Sequence, residues 1–146
     1  FMFNEMKFSS LVHKFKNHDA TQMPAWKVMR MATIDGAKAL CMDDEIGSLR
    51  AGKKADLITV DLSYPHLNPI YDALIPNLVY SARGHEVDMV MVDGRIVVED
   101  HKLLTDDESR VVREANAAAK RIAQELAQVP WSKDLPLAKW TTEGYY

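Results

Sequence analysis

An α+β fold is expected for this chain. Two helical stretches open it, short β-rich runs fill the middle, and one long amphipathic helix follows. Helices and strands that segregate in this way along a chain form α+β domains or parts of two domains. The length, 146 residues, is that of one ordinary domain. A composition of 47% hydrophobic and 27% charged residues is that of a soluble globular protein.

The elements follow in order. Phe3 to Lys16 reads as a helix, with Phe8, Leu11, Val12 and Phe15 on one face. NHDATQMP is a polar turn region. Pro24 suits the first turn of a second helix, where its missing N–H would be unpaired anyway, and that helix is expected to run to about Leu40. Gly36 weakens an isolated helix by about 1 kcal/mol relative to Ala, so a close backbone approach is the expected reason for it. From Asp43 the character changes: turn-formers lead into LITV, a strand of mostly β-branched residues. SYPHLNPIYDALIPN, with three of the six prolines, reads as an irregular connection, and Leu78 to Ala82 is compatible with a short strand or a turn of helix. VDMVMV and RIVVE flank Asp93-Gly94, a pair that readily takes a type I′ hairpin turn. A helix from about Asp106 to Gln128 carries the stripe Val111, Ala115, Ala118, Ile122 and Leu126, and Thr105 and Glu108 have capping-box spacing. The tail from Pro130 to Tyr146, with two tryptophans and two terminal tyrosines, is expected to pack on something, since free tails are seldom so aromatic.

Charge and cysteine content narrow the function classes. A net charge of −3 argues against a nucleic-acid binder, which would show a basic stripe. The single Cys41 forms no internal disulfide, so a reducing, cytoplasmic setting is expected, with Cys41 a buried structural thiol. No apolar run reaches the ~20 residues that span a bilayer, and FMFNEMKF lacks the layout of a secretory signal. The chain enters a helix at once from Phe1, a hint of truncation.

No complete active site is legible. Asp56, Asp61 and His66 recur every five residues in ADLITVDLSYPH, and carboxylate and imidazole are common metal ligands. On a strand, however, Asp56 and Asp61 lie ~16 Å apart at ~3.3 Å per residue and face opposite ways. Asp61 with His66 supplies too few ligands for zinc. The two aspartates therefore read as solvated residues bracketing a strand. His13 and His18 miss the i, i+4 spacing of a helical zinc pair, and His85 and His101 sit in polar turns. AGKKAD lacks the first glycine and final Ser/Thr of a phosphate loop, leaving Lys53 and Lys54 as solvated turn residues. No catalytic, cofactor-binding or metal-ligating residue is assigned.

Four segments carry a resemblance. MATIDGAKAL, Met31 to Leu40, followed by EIGSLRAGKKADLITVD, resembles the C-terminal part of the metal-dependent amidohydrolase superfamily. PHLNPIYD and LVYSARGHEVDMVMVDGRIVVEDHKLLT are similar to the branch of methylthioadenosine/S-adenosylhomocysteine deaminases and triazine hydrolases. The likeness covers about Phe1 to Leu126.

The resemblance implies an α+β fragment: the last helices of a (β/α)8 barrel over 1–42, the C-terminal share of a composite β-sandwich over 43–104, and a C-terminal helix with its tail over 105–146. It implies a parent enzyme that uses zinc or iron to hydrolyse a C–N or related bond of a heterocycle such as a purine nucleoside. The family's ligands, a His-x-His pair, further histidines and an aspartate, would precede residue 1. This chain would then hold no metal and be inactive alone. Unpaired sheet edges and bare helix faces would favour a homo-oligomer or association with the missing N-terminal part. A non-catalytic oligomerising module, or a subunit complementing a separate N-terminal chain, is the alternative. Neither nucleic acid nor membrane is an expected partner.

Overall fold

The computed structural model describes residues 1–129. The chain divides into two compact units, Phe1–Thr105 and the part from Asp106 onward. The first unit begins with helix α1 (Met2–Asn17), closed by His18 in the left-handed region at φ 50°. This helix buries Phe3, Met6 and Ser10, whereas Phe8, Leu11, Val12 and Phe15 stay exposed. Periodicity thus marks a helix correctly, yet its most apolar stripe is the one left in solvent. Ser10 is tolerated inside because its hydroxyl donates to the Met23 carbonyl at 2.7 Å and accepts from the Tyr80 hydroxyl at 2.8 Å.

The helix expected from Pro24 to Leu40 is two. Helix α2 (Ala25–Met31) follows Pro24 as its N-cap, and α3 (Ile34–Ala39) starts after a corner at Thr33. The Thr33 hydroxyl donates to the Met29 carbonyl at 2.8 Å, a local bond that competes with the helix ladder. Gly36 makes the corner possible, since a Cβ there would lie 2.7 Å from the Met31 carbonyl oxygen. The close backbone approach anticipated for Gly36 is therefore real, but it is to the preceding helix.

Strand β1 (Leu57–Val60) leads to a 3-10 turn (Pro65–Leu67) and then helix α4 (Leu74–Tyr80), which settles the ambiguous Leu78 region as helical. Pro76 is accommodated in the first turn, where no intrahelical N–H bond is lost. Strands β2 (Val87–Val92), β3 (Arg95–Glu99) and β4 (Lys102–Leu103) complete a four-stranded antiparallel sheet in the order β1-β2-β3-β4. Asp93 and Gly94 take φ values of 50° and 77°, as the hairpin turn requires. Register shifts at Thr59/Val60 and Val90/Met91 bend the sheet locally.

The core is mainly between helices. Phe3 and Met6 of α1, Ala25 and Val28 of α2, Val79 of α4, and Leu67 and Ala82 pack together. Val60 of β1 and Val87 of β2, with Leu62 and Tyr64 from the connection after β1, pack against this core.

In the second unit, helix α5 (Glu108–Ala127) is capped by Asp107, whose carboxylate accepts the Ser109 N–H at 2.9 Å. The expected Thr105/Glu108 capping box is not used, because Glu108 is the first helical residue and not the third. Arg110 pairs with both Asp106 and Glu114. None of the stripe Val111, Ala115, Ala118, Ile122 and Leu126 is buried. The packing expected of the aromatic tail lies outside the described residues. Among the described residues no helix is long and apolar enough to cross a membrane.

Candidate functional site

The GKKAD segment is a structural staple. Lys53 Nζ donates to the Asp43 carbonyl and, at 3.1 Å, to the Ile46 carbonyl, so this lysine ties its own loop together and is not simply solvated. Lys54 pairs with Glu45 at 2.7 Å, and its N–H donates to the Glu45 carbonyl at 2.9 Å. Ala55 accepts the Gly94 N–H at 3.1 Å, and the Asp56 carboxylate accepts the Asp93 N–H at 2.7 Å. Asp56 therefore does more than bracket a strand; it closes the β2–β3 hairpin turn from outside. Gly47, at φ 82°, sits where a Cβ would come within 2.6 Å of the Ala37 Cβ. The glycine lets the loop lie against α3.

Asp61 stands at the opposite end of β1, its carboxylate accepting the Ser63 N–H at 2.8 Å. That bond, with a second from the Ser63 hydroxyl, holds its carboxyl below the usual range. The structure thus gives Asp56, Asp61 and His66 separate partners. His13, His18 and His101 lie exposed. Cys41, expected to be buried, is exposed, because it takes the left-handed position (φ 56°) just past the end of α3.

His66 meets a residue that spacing did not suggest. Its Nε2 lies 2.5 Å from Glu86 Oε1, and His85 Nε2 lies 3.5 Å from the same oxygen. The Glu86 side chain is completely buried. Its Oε2 accepts the Gly84 and Arg83 N–H groups at 2.7 and 3.1 Å. Gly84 adopts φ 110°, a conformation glycine takes at little cost, so the chain can turn its amides onto a carboxylate two and three residues ahead. Burial opposes ionisation of Glu86, but the backbone N–H groups and the His66 ring outweigh it and hold its pKa down to about 2.

Three rings frame the cluster. Tyr64 packs its ring edge-on to His85 with centroids 5.2 Å apart, and tilts against His66 at 5.7 Å. His85 opens onto a groove of about 660 Å³ lined largely by apolar side chains, among them Phe1, Met2 and Val98. No sequence spacing joins residue 66 to residue 85. The one local signal was the Gly-x-Glu run, a glycine placed to let a following carboxylate cap its own turn.

Residues 1–97 match the model of the amidohydrolase family. The chain belongs to the amidohydrolase family. Its relatives include a 5'-deoxyadenosine deaminase of Methanosarcina acetivorans, 43% identical over 83% of this chain and 27% of the relative. A 5-methylthioadenosine/S-adenosylhomocysteine deaminase of Caldanaerobacter subterraneus subsp. tengcongensis is 42% identical over 83% of this chain and 28% of the relative. The fold matches a zinc-bound adenosine deaminase of Xanthomonas campestris with a TM-score of 0.81 and 34% identity, over 84% of this chain and 28% of the other. A zinc-complexed atrazine chlorohydrolase of Arthrobacter aurescens, 24% identical with a TM-score of 0.69 over 79% of this chain and 25% of the other, shares the fold. The resemblance to the deaminase and triazine hydrolase branch is borne out. This amidohydrolase chain spans little more than a quarter of the length of the curated relatives it matches.

Proposed function

We propose that the chain is the C-terminal portion of an amidohydrolase that hydrolytically deaminates a purine nucleoside or a related heterocycle. The observation that carries the reading is the 42–44% identity to deaminases of 5'-deoxyadenosine and methylthioadenosine/S-adenosylhomocysteine over 83% of the chain. In this reading residues 1–42 are the last helices of the (β/α)8 barrel. Residues 43–104 supply the C-terminal share of the composite β-sandwich, and the α5 region follows.

The zinc of the structural neighbours raises the question of what this chain would contribute to a metal. The sequence has no His-x-His pair, and the resemblance assigns the parent's ligands to segments before residue 1. No step of the hydrolysis is therefore assigned to residues of this chain. Its contribution is architectural: the Lys53–Asp56 staple ties the loop before β1 to the β2–β3 hairpin turn, and Glu86 ties the turn before β2 to His66.

The chain is proposed to be inactive alone and to associate with an N-terminal part or with a second copy. Exposed Phe8, Leu11, Val12 and Phe15 form an apolar stripe on one face of α1, and such stripes mark interaction surfaces. The same stripe favours the second reading, a non-catalytic oligomerising module. Ammonia release from 5'-deoxyadenosine and methylthioadenosine separates the two. The chain alone should release none, and mixing it with the N-terminal three quarters of the Methanosarcina acetivorans relative should restore turnover. Turnover by the chain alone would overturn the proposed inactivity, and no turnover in the mixture despite a stable complex would favour the interaction module.

A further inference from the structure

We infer that His66 Nε2, His85 Nε2 and Glu86 Oε1 form a binding site for a divalent transition-metal ion of the zinc class. This does not rest on the deaminase reading. Among the described residues these are the three side chains whose ligand atoms converge, all within 4.8 Å of one another.

The geometry is that of a ligand set more than of an ion pair. A pair needs one imidazole on the carboxylate; here two direct the same ring nitrogen at the same oxygen, at 2.5 and 3.5 Å. Glu86 is divided between two tasks. Its Oε2 is held by the Gly84 and Arg83 amides, which also orient the group, and Oε1 takes the imidazoles with only a weaker 3.2 Å bond from Arg83 N–H. Outer hydrogen bonds of this kind are what fix a ligating carboxylate in place. Tyr64 restrains both rings, whose centroids lie 5.5 Å apart.

Two imidazoles and one carboxylate suit zinc, whereas calcium and magnesium prefer all-oxygen shells. Zinc–ligand distances of about 2.0–2.2 Å place tetrahedral neighbours roughly 3.3–3.5 Å apart. The His85–Glu86 separation already has that value. The His66–Glu86 separation must open by just under 1 Å, a small swing for a side chain that is 32% exposed. His85, 52% exposed, leaves a side open for the ion to enter and for water to complete the shell.

The test uses the 146-residue chain, stripped with chelator and dialysed against zinc chloride, with bound metal measured by mass spectrometry and affinity by calorimetry. One zinc per chain is expected at micromolar concentration, with binding weakened at least tenfold in His85→Ala and in Glu86→Gln and unchanged in His101→Ala. Cobalt(II) in place of zinc should give visible d–d absorption that His85→Ala abolishes. Imidazole NMR gives a readout without substitution: His66 and His85 should shift on zinc addition while His13, His18 and His101 stay. Absence of bound zinc at micromolar concentration, wild-type affinity in His85→Ala, or shifts confined to the other three histidines would each overturn the inference.

Discussion

Replacing Glu86 by Gln tests whether the buried carboxylate organises the first unit. The substitution keeps the shape but removes the charge and turns one acceptor into a donor. If the new amide NH2 faces the Gly84 and Arg83 N–H groups, two partly buried donors lose their acceptor; if it faces His66, the charge-assisted bond is lost instead. Hydrogen bonds to charged groups contribute about 1.5–3 kcal/mol, and leaving a buried donor unpaired costs about 1–3 kcal/mol. Linkage expresses the same contacts on a second scale. A shift from 4.5 to about 2 is worth about 3 kcal/mol at 1.36 kcal/mol per unit. The two routes agree on a loss of about 3 kcal/mol at pH 7. Because the folded-state pKa is depressed, this stability is present in full above pH 4.5 and disappears as pH falls toward 2. Urea unfolding followed by circular dichroism, with chelator present, should therefore show the variant weaker at pH 7 and converging with the parent chain near pH 2. A difference below about 1 kcal/mol at pH 7, or one that does not shrink in acid, would refute the role assigned to Glu86.

Three further outcomes are expected. Gly47→Ala forces a side chain into the Ala37 Cβ at a positive φ and should cost about 2 kcal/mol or more, whereas Gly52→Ala, with the same sign of φ and open space around it, should cost about 1 kcal/mol; the two melting temperatures decide. Asp107→Ala removes the α5 N-cap and should cost about 1 kcal/mol, read as reduced helicity in a peptide spanning 106–129. Phe8→Glu with Phe15→Glu should shift the chain to smaller species in light scattering without loss of helix content; unchanged size would remove α1's exposed stripe as an association surface.

Much of the secondary structure was legible because its signals are local. The Asp93-Gly94 hairpin and the LITV strand follow from residues within a few positions of each other, and their conformations do not depend on distant partners. The break at Thr33 was less visible. The Gly36 signal for close approach was correct, but the approach was to Met31, five residues back, and no propensity distinguishes a helix packing tightly from a helix turning a corner. Cys41 misled for a related reason: cysteine is usually buried, yet its place after α3 put backbone geometry ahead of side-chain preference.

The sequence by itself determined family membership, the first and last helices, the β1 strand and the β2–β3 hairpin, and the separation of Asp56 from Asp61, since each depends on short-range pattern or on strand rise. Tertiary structure decided which face of α1 is covered, because two stripes of one helix compete and only the packed neighbours choose between them. It also brought His66 to His85 and Glu86. That meeting depends on a 3-10 turn and the end of a loop converging across some twenty residues, and a carboxylate remains ionised there because backbone amides and the His66 ring replace the water that folding removes.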